Sequence, residues 1–281
     1  MRQPFYAGVL YPKTENALRR AIEEAYEHEK GPGALPTEAR SEPVKGILAP
    51  HSAITLSGPC TAWSYKALAE SPPADVYIIA AYNLGQNASG AGMRTYSMPF
   101  GEIRVDQKLC QALTAKKHIR FADNFHEHDH AIEVQLPWLQ HAIKPNVKIL
   151  PLLLADDVDL KELAVDLKET LLDQGKKAKL ILSAEFTHHG PAYTFLPFDP
   201  PVNKHVYEYD AKALSHLTNL DLQGFLDFCA SGPCSIDAVK PLEFAFHFLK
   251  PNKILVEQYY TSADVTGDEK NIAAYASILF L

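Results

Sequence analysis

Short apolar segments alternate with amphipathic helical segments along the whole chain. Val76–Tyr82 is a continuous apolar run that ends at the polar Asn83, which is typical of a strand buried on both faces of a parallel sheet. Further strands are predicted at Val44–Ala49, Val147–Leu154, Lys179–Ser183, Lys253–Thr261 and Ala273–Phe280. Strands that alternate with helices predict an α/β fold, a three-layer α/β/α arrangement with a largely parallel central sheet.

The segments between these strands carry apolar residues at helical spacing. In Thr14–Glu29 the residues Leu18, Ile22 and Ala25 fall on one helix face, and Thr14 is a suitable N-cap. Other helices are predicted at Pro59–Ser71, Asp106–Lys116, Ala131–Ile143, Leu160–Asp173, Val206–Leu217, Leu220–Ala230 and Pro241–Leu249. Pro137 is expected to kink or end its helix. We find no internal repeat and no long linker, so residues 1–281 are expected to form a single domain.

Charge and composition exclude several classes of function. The chain has 27 Lys and Arg against 34 Asp and Glu, a net charge of −7, so nucleic acid is not expected as a partner. The longest apolar runs, Val76–Ala81 and Val147–Ala155, are too short to cross a bilayer. Four cysteines without a CxxC pair suit a reducing compartment, so a cytoplasmic location without a membrane partner is predicted. The composition does not determine the oligomeric state.

Polar residues follow the predicted strands at the points where each strand ends. His51 comes just after the first strand, Asn83 just after the second, and Glu185 and His188 just after Lys179–Ser183. Ligands of parallel sheets bind at the carboxyl ends of the strands. Imidazole and carboxylate groups that meet there suit either a metal site or acid/base catalysis. We therefore expect these side chains to line one cleft.

A histidine-rich segment precedes the predicted helix at Ala131. The five residues that begin at His126 match H-E-x-x-H, which binds zinc only when both histidines share a helix face. The predicted helix begins after the motif, so the favoured interpretation places His126 and His128 in a solvated loop. Glu133, three residues after His130, either shares a functional helix face with it or caps the helix. Both interpretations are left open.

Several sequence blocks resemble those of the Memo family in the same order along the chain. The start, RQPFYAGVLYP, resembles "R-x-P-x-x-A-G-x-F-Y-P". APHSAI at 49–54 is similar to "APHAGY", and PFGEIRVD at 99–106 to "PLGxxxVD". DHAIEVQLP at 129–137 is similar to "EHSIEVQLP", and SAEFTHHG at 183–190 to "SSDxSHxG". The family includes a mediator of cell motility in animals and the Memo component of the microbial AmmeMemoRadiSam system.

The resemblance implies a fold like that of the class III extradiol ring-cleaving dioxygenases, which hold non-haem Fe(II) with two histidines and a carboxylate. Memo proteins place two histidines and a cysteine at the corresponding pocket, with an Asp and another His nearby, and are associated with copper or iron and with redox chemistry. The first family histidine falls on His51 and the second on Asn83. The family acid and its histidine fall on Glu185 and His188. The cysteine falls on Asp237, and Cys234 replaces it only if the loop is rearranged.

Three hypotheses follow from these matches and replacements. The first is a metal-dependent oxidoreductase, in which His51, His188 and Asp237 or Glu185 bind Fe(II), Cu, Zn or Mn. His130, Glu185 and His188 would then act in catalysis, and Asn83 would hydrogen-bond a ligand or a bound water. The second is a metal-free Memo-like binding protein, whose cleft holds a small molecule or a peptide. The third is a metal-independent hydrolase, with Glu185 and His188 as its acid/base pair.

Overall fold

The computed structural model describes residues 1–84, 86, 88–143 and 147–281, and a mixed β-sheet lies at its centre. The strands are β1 (Gly46–Ala49), β2 (Val76–Tyr82), β3 (Gly90–Ala91), β4 (Tyr96–Met98), β5 (Gly101–Val105), β6 (Arg120–Phe121), β7 (Lys148–Leu154), β8 (Ala178–Ser183), β9 (His188–His189), β10 (Ile254–Thr261) and β11 (Ile272–Phe280). The helices are α1 (Glu15–Glu27), α2 (Ile54–Ala69), α3 (Gln107–Ala115), α4 (Ala131–Ala142), α5 (Leu160–Asp173), α6 (Val202–Thr218), α7 (Leu222–Ala230), α8 (Val239–Leu249) and α9 (Ala263–Thr266).

The parallel core of the sheet brings three strand ends to one place. β1, β8, β2 and β7 are neighbours in that order and run parallel. β10 and β11 extend the sheet in antiparallel fashion beside β1. Ser183 at the end of β8 lies in register with Ala49 of β1 and with Ala81 of β2. The residues that follow these three strands therefore emerge at the same edge of the sheet.

Two groups of helices cover the sheet and confirm the predicted α/β/α arrangement. α1, α2 and α4 pack together and contact β1, β2, β8 and β11. α3, α5 and α8 form the second group, in which α8 packs on β2 and β8. β11 and β1 are buried along their whole length, because a central strand with helices on both faces has no solvent-facing side. No helix in the described ranges is long and apolar enough to span a bilayer.

Two prolines lie inside helices that the sequence predicted differently. α2 begins at Ile54, five residues before the predicted start, and includes Pro59. α4 extends from Ala131 to Ala142, close to the predicted range, and continues through Pro137, so this proline does not end the helix. An internal proline costs about 3 kcal/mol in a helix. Every residue of α4 from Ala131 to Leu139 is buried, and the burial of this apolar surface offsets that cost.

Candidate functional site

Four of the residues predicted from the strand ends and from the family resemblance meet in one hydrogen-bonded group. His51 Nε2 lies 3.3 Å from Asp237 Oδ2, and His188 Nε2 lies 3.2 Å from Glu185 Oε2. Glu185 Oε1 accepts the backbone N–H of His51 at 3.0 Å, and Asp237 Oδ1 accepts the backbone N–H of Glu185 at 2.7 Å. We call His51, Glu185, His188 and Asp237 the histidine–carboxylate cluster. All four lie at the carboxyl edge of the sheet or in the loop before α8.

The second nitrogen of each imidazole is fixed by the protein. His188 Nδ1 faces the carbonyl oxygen of Ser235 at 3.2 Å, and a carbonyl only accepts, so Nδ1 carries a proton. His51 Nδ1 lies 3.3 Å from Ser183 Oγ, whose own hydrogen is donated to the Ala131 carbonyl at 2.6 Å. Ser183 Oγ therefore accepts from His51 Nδ1. The Nε2 atoms of both rings face carboxylate oxygens, so a proton is favoured on both nitrogens of each ring.

The charges of the cluster stabilise one another. Burial by itself lowers the pKa of His51, but the facing carboxylates of Asp237 and Glu185 outweigh it and raise that pKa to about 9. Burial raises the pKa of Glu185, whereas His51 and His188 outweigh it and lower that pKa to about 2. The pKa of His188 is also raised, because the Glu185 carboxylate outweighs the effect of burial. Each imidazole thus faces a carboxylate that favours its protonated form.

The cluster as arranged does not fit a two-histidine, one-carboxylate metal site. Such a site needs three donor atoms directed at one empty position. Within the described part of the chain, no group of three or more His, Cys, Asp or Glu side chains is placed to hold a metal ion. The Nε2 atoms of His51 and His188 are instead directed at carboxylate oxygens. A metal would have to displace both protons and both of these contacts.

Two adjoining cavities open beside the cluster. The first has a volume of about 390 Å³, and its wall includes His51, Asn83, His130 and Asp237. The second has a volume of about 650 Å³. The two share Tyr82, Leu84 and Asp237 in their linings, so they form one elongated cleft. Neither lining includes Glu185 or His188.

His130 and Asn83 lie in the cleft but outside the hydrogen bonds of the cluster. The His130 ring is perpendicular to that of His51, with 5.0 Å between the centroids. Burial and the charge of His51 lower the pKa of His130, which favours the neutral form of the imidazole that faces the cavity. Asn83 is buried, and its Nδ2 donates to the Ala88 carbonyl at 2.6 Å. One of the two N–H donors of the Asn83 amide is therefore already bonded within the protein.

The H-E-x-x-H segment does not form a ligand site, but its first histidine is not solvated. His126 lies in a loop, as predicted, but it is 3% exposed and its Nε2 is 3.1 Å from the Gly90 carbonyl, so the prediction that it is solvated was wrong. His128 is exposed, as predicted. Glu133 neither caps α4 nor faces the cleft. Its carboxylate is fully buried and forms an ion pair with Arg2, and it accepts from the Tyr11 hydroxyl at 2.6 Å.

Three residues that support the site were not predicted as site residues, although Ser183 and Gln135 lie in the Memo-like sequence blocks. Ser183 and Ser235 orient the two imidazoles, as described above. Gln135 of α4 donates to Ser183 Oγ at 2.9 Å and to the Pro50 carbonyl at 2.9 Å. The sequence offered one signal for Ser183, its position as the last residue of a strand. Cys234 lines the larger cavity, whereas Asp237 lines both cavities and contacts His51.

The family of the chain follows from comparison with known proteins. A family model described as "Memo-like protein" matches residues 2–279. The chain belongs to the Memo family. A MEMO1 family protein of Methanopyrus kandleri is 32% identical, over 99% of this chain and 98% of that protein. MEMO1 family proteins of Methanosarcina mazei and Nitrosopumilus maritimus are 30% and 27% identical, over 99% and 100% of this chain and 98% and 100% of their own lengths.

The raised pKa of His51 predicts a loss of stability in mild alkali. Folded His51 has a pKa of about 9 against 6.5 for the free side chain. Its contribution to stability is therefore complete below pH 6.5 and is lost as the pH rises through 9. A shift of this size corresponds to about 3 kcal/mol. We expect the free energy of unfolding, measured by urea denaturation, to fall more steeply between pH 6.5 and 9 in the wild type than in His51→Gln. Parallel curves for the two proteins would contradict this.

Proposed function

We propose that this Memo-family protein binds a small organic molecule in the elongated cleft without a metal ion. The observation that carries the proposal is the hydrogen bonding of the two imidazoles. His51 and His188 each direct Nδ1 at a protein acceptor and Nε2 at a carboxylate. An imidazole that donates from both nitrogens has no lone pair for a metal. The hydrogen bonds therefore support a polar wall that binds an organic molecule, and not a set of side chains that coordinates a metal ion.

The two replacements relative to the family pattern support the same conclusion. Asn83 stands where the resemblance places a second histidine, and Asp237 stands where it places a cysteine. Imidazole and thiolate are strong ligands for copper, zinc and iron, whereas a neutral amide is a weak one. The Asn83 amide nitrogen already donates to the Ala88 carbonyl, and Asp237 is engaged by His51 and by the Glu185 backbone.

The cleft walls indicate the chemistry of the ligand. The smaller cavity offers the neutral imidazole of His130 and the charge-neutralised His51–Asp237 pair as hydrogen-bonding groups. The larger cavity adds apolar surface from Leu226, Ile236 and Val239. These walls suit an uncharged polar head group attached to an apolar body.

A ligand screen with a blocked cleft tests this proposal. Leu84 is 73% exposed and belongs to both cavity linings, so Leu84→Trp narrows the cleft without disturbing the core. Leu196, which is 64% exposed and belongs to neither lining, provides the matched control Leu196→Trp. We expect uncharged amphipathic compounds found by thermal-shift screening to bind Leu84→Trp at least about tenfold more weakly, a loss of about 1.4 kcal/mol. Equal affinity for the two variants would place the binding elsewhere.

The second candidate is a metal-dependent oxidoreductase that resembles the class III extradiol dioxygenases. The proximity of two histidines and two carboxylates in the cluster favours it. Metal analysis separates the candidates in protein purified without an affinity tag and incubated with Fe(II), Cu(II), Zn(II) or Mn(II). If the cleft binds its ligand without a metal, we expect far less than one bound metal ion per protein chain after dialysis. One ion per chain, lost in His51→Ala, would overturn it in favour of the metal enzyme.

A further inference from the structure

A groove at the opposite edge of the sheet is lined by lysines. It has a volume of about 530 Å³ and lies where β8 begins, beside the segments that lead into β1 and β2. The histidine–carboxylate cluster lies beyond the other ends of these strands. None of the described residues that line the groove is acidic. Its lysines are Lys45, Lys168, Lys176, Lys177 and Lys179.

Lys179 is buried in this groove without a partner. Its side chain begins at the second residue of β8, and the residue is only 7% exposed. Its Nζ has no hydrogen-bond acceptor among the described residues. Burial lowers the pKa of this amine to about 8. An ammonium group withdrawn from water without a counter-charge is costly, so an anion that reaches it would bind favourably.

Two of the neighbouring lysines already have partners. Lys168 Nζ donates to the His247 carbonyl at 2.9 Å, and Lys176 Nζ lies 2.6 Å from Asp106 Oδ2. Lys45 and Lys177 form no ion pair with any residue that the structure describes. The positive charge at the rim is thus only partly compensated within the protein, and it favours the approach of an anion.

The rest of the groove wall is apolar. Leu171 and Leu172 of α5 and Phe248 and Leu249 of α8 line it. Leu172 is 80% exposed, which makes it the most exposed large apolar side chain among the described residues. A ligand that covers Leu172 would remove apolar surface from water, worth roughly 25 cal/mol per Å². The groove therefore combines one buried cation with an apolar wall.

We propose that this groove binds an organic monocarboxylate with an apolar chain, whose carboxylate pairs with the Lys179 amine while its chain lies along Leu172 and Phe248. A monoanion matches the single buried cation. A phosphate dianion is more strongly hydrated and gains nothing from the apolar wall. The groove and the cleft lie at opposite edges of the sheet, so this proposal stands or falls independently of the proposed function.

Octanoate is the probe for this proposal. We expect ¹H–¹⁵N NMR titration of the full chain to show saturable shifts of the amides at 171–172 and 178–180, with octanol and inorganic phosphate each binding at least tenfold more weakly. Lys179→Met retains an unbranched side chain that is one atom shorter, and it removes the charge. It is expected to weaken octanoate binding at least tenfold and to raise Tm, because the unpaired ammonium is gone. Lys212→Met, on the exposed face of α6, is the matched control and should leave the affinity unchanged.

A second variant protects the test against a folding defect. Leu172→Glu alters an exposed side chain, so the fold is retained, and its carboxylate repels the probe at the rim of the groove. It should also weaken octanoate binding, with an unchanged far-UV CD spectrum. The proposal is overturned if octanoate causes no shifts up to 10 mM, on the order of the weakest specific affinities, or if it binds Lys179→Met as tightly as the wild type. Phosphate that binds as well as octanoate would likewise overturn it.

Discussion

Replacing Arg2 with methionine is expected to lower the free energy of unfolding by about 3–5 kcal/mol. Arg2 is 3% exposed and forms an ion pair with Glu133, which is fully buried. Its guanidinium also donates to the His126 and Asp129 carbonyls, each at 2.6 Å. Removal of the cation leaves a buried carboxylate and two carbonyl oxygens without their strongest donor. Urea denaturation followed by circular dichroism measures the loss.

A matched substitution separates burial from the loss of an arginine. Arg20 also forms an ion pair, with Glu24 at 2.8 Å, but both side chains are largely exposed. Exposed pairs of this kind contribute less than about 1 kcal/mol, so Arg20→Met should change stability little. If Arg2→Met lowers the free energy of unfolding no more than Arg20→Met does, the buried pair does not stabilise the fold.

Asp237→Asn is expected to lower the pKa of His51 by more than about one unit. The Asp237 carboxylate faces His51 Nε2 at 3.3 Å and is the strongest of the charges that raise the pKa of His51 to about 9. Without it, burial and the remaining carboxylate of Glu185 act in opposite directions. A pH titration of the imidazole ¹⁵N chemical shifts by NMR measures the change directly.

The control for this substitution removes the same charge from the same cleft. Asp156 lines the larger cavity, but its side chain is 75% exposed and its ion pair is with Lys240. Asp156→Asn should shift the pKa of His51 by only a few tenths of a unit, since water screens exposed charges. A pKa of His51 that stays near 9 in Asp237→Asn would show that Asp237 does not hold the proton on this ring. The protonated His51 ring would then no longer support a metal-free cleft.

Much of the fold could be predicted from local pattern. β2 lies at Val76–Tyr82 and α5 at Leu160–Asp173, as predicted. The spacing of apolar residues within each segment is sufficient to predict such an element. The short strands β3 to β6 and β9 were not predicted, since two to five residues carry too little pattern. The convergence of His51, Asn83, Glu185 and His188 could also be anticipated, because the ends of parallel strands meet at one edge. Only the family resemblance indicated Asp237, which lies in the loop before α8.

The remaining features depend on distances that no local pattern contains. The Arg2–Glu133 pair joins residues 131 positions apart, and the sequence left the role of Glu133 open. The members of the histidine–carboxylate cluster could be predicted from strand ends and from the family resemblance. Only the packed structure shows that the Nε2 atom of each histidine faces a carboxylate. The burial of Lys179 without a partner also depends on the packed structure, because the strand pattern of β8 does not indicate which of its polar residues are buried. The sequence determined the long strands and helices and the side chains that follow them, since both are local properties. Tertiary packing alone decided which charges are paired and which are left unpaired, because desolvation and Coulomb energy depend on what surrounds a group in space.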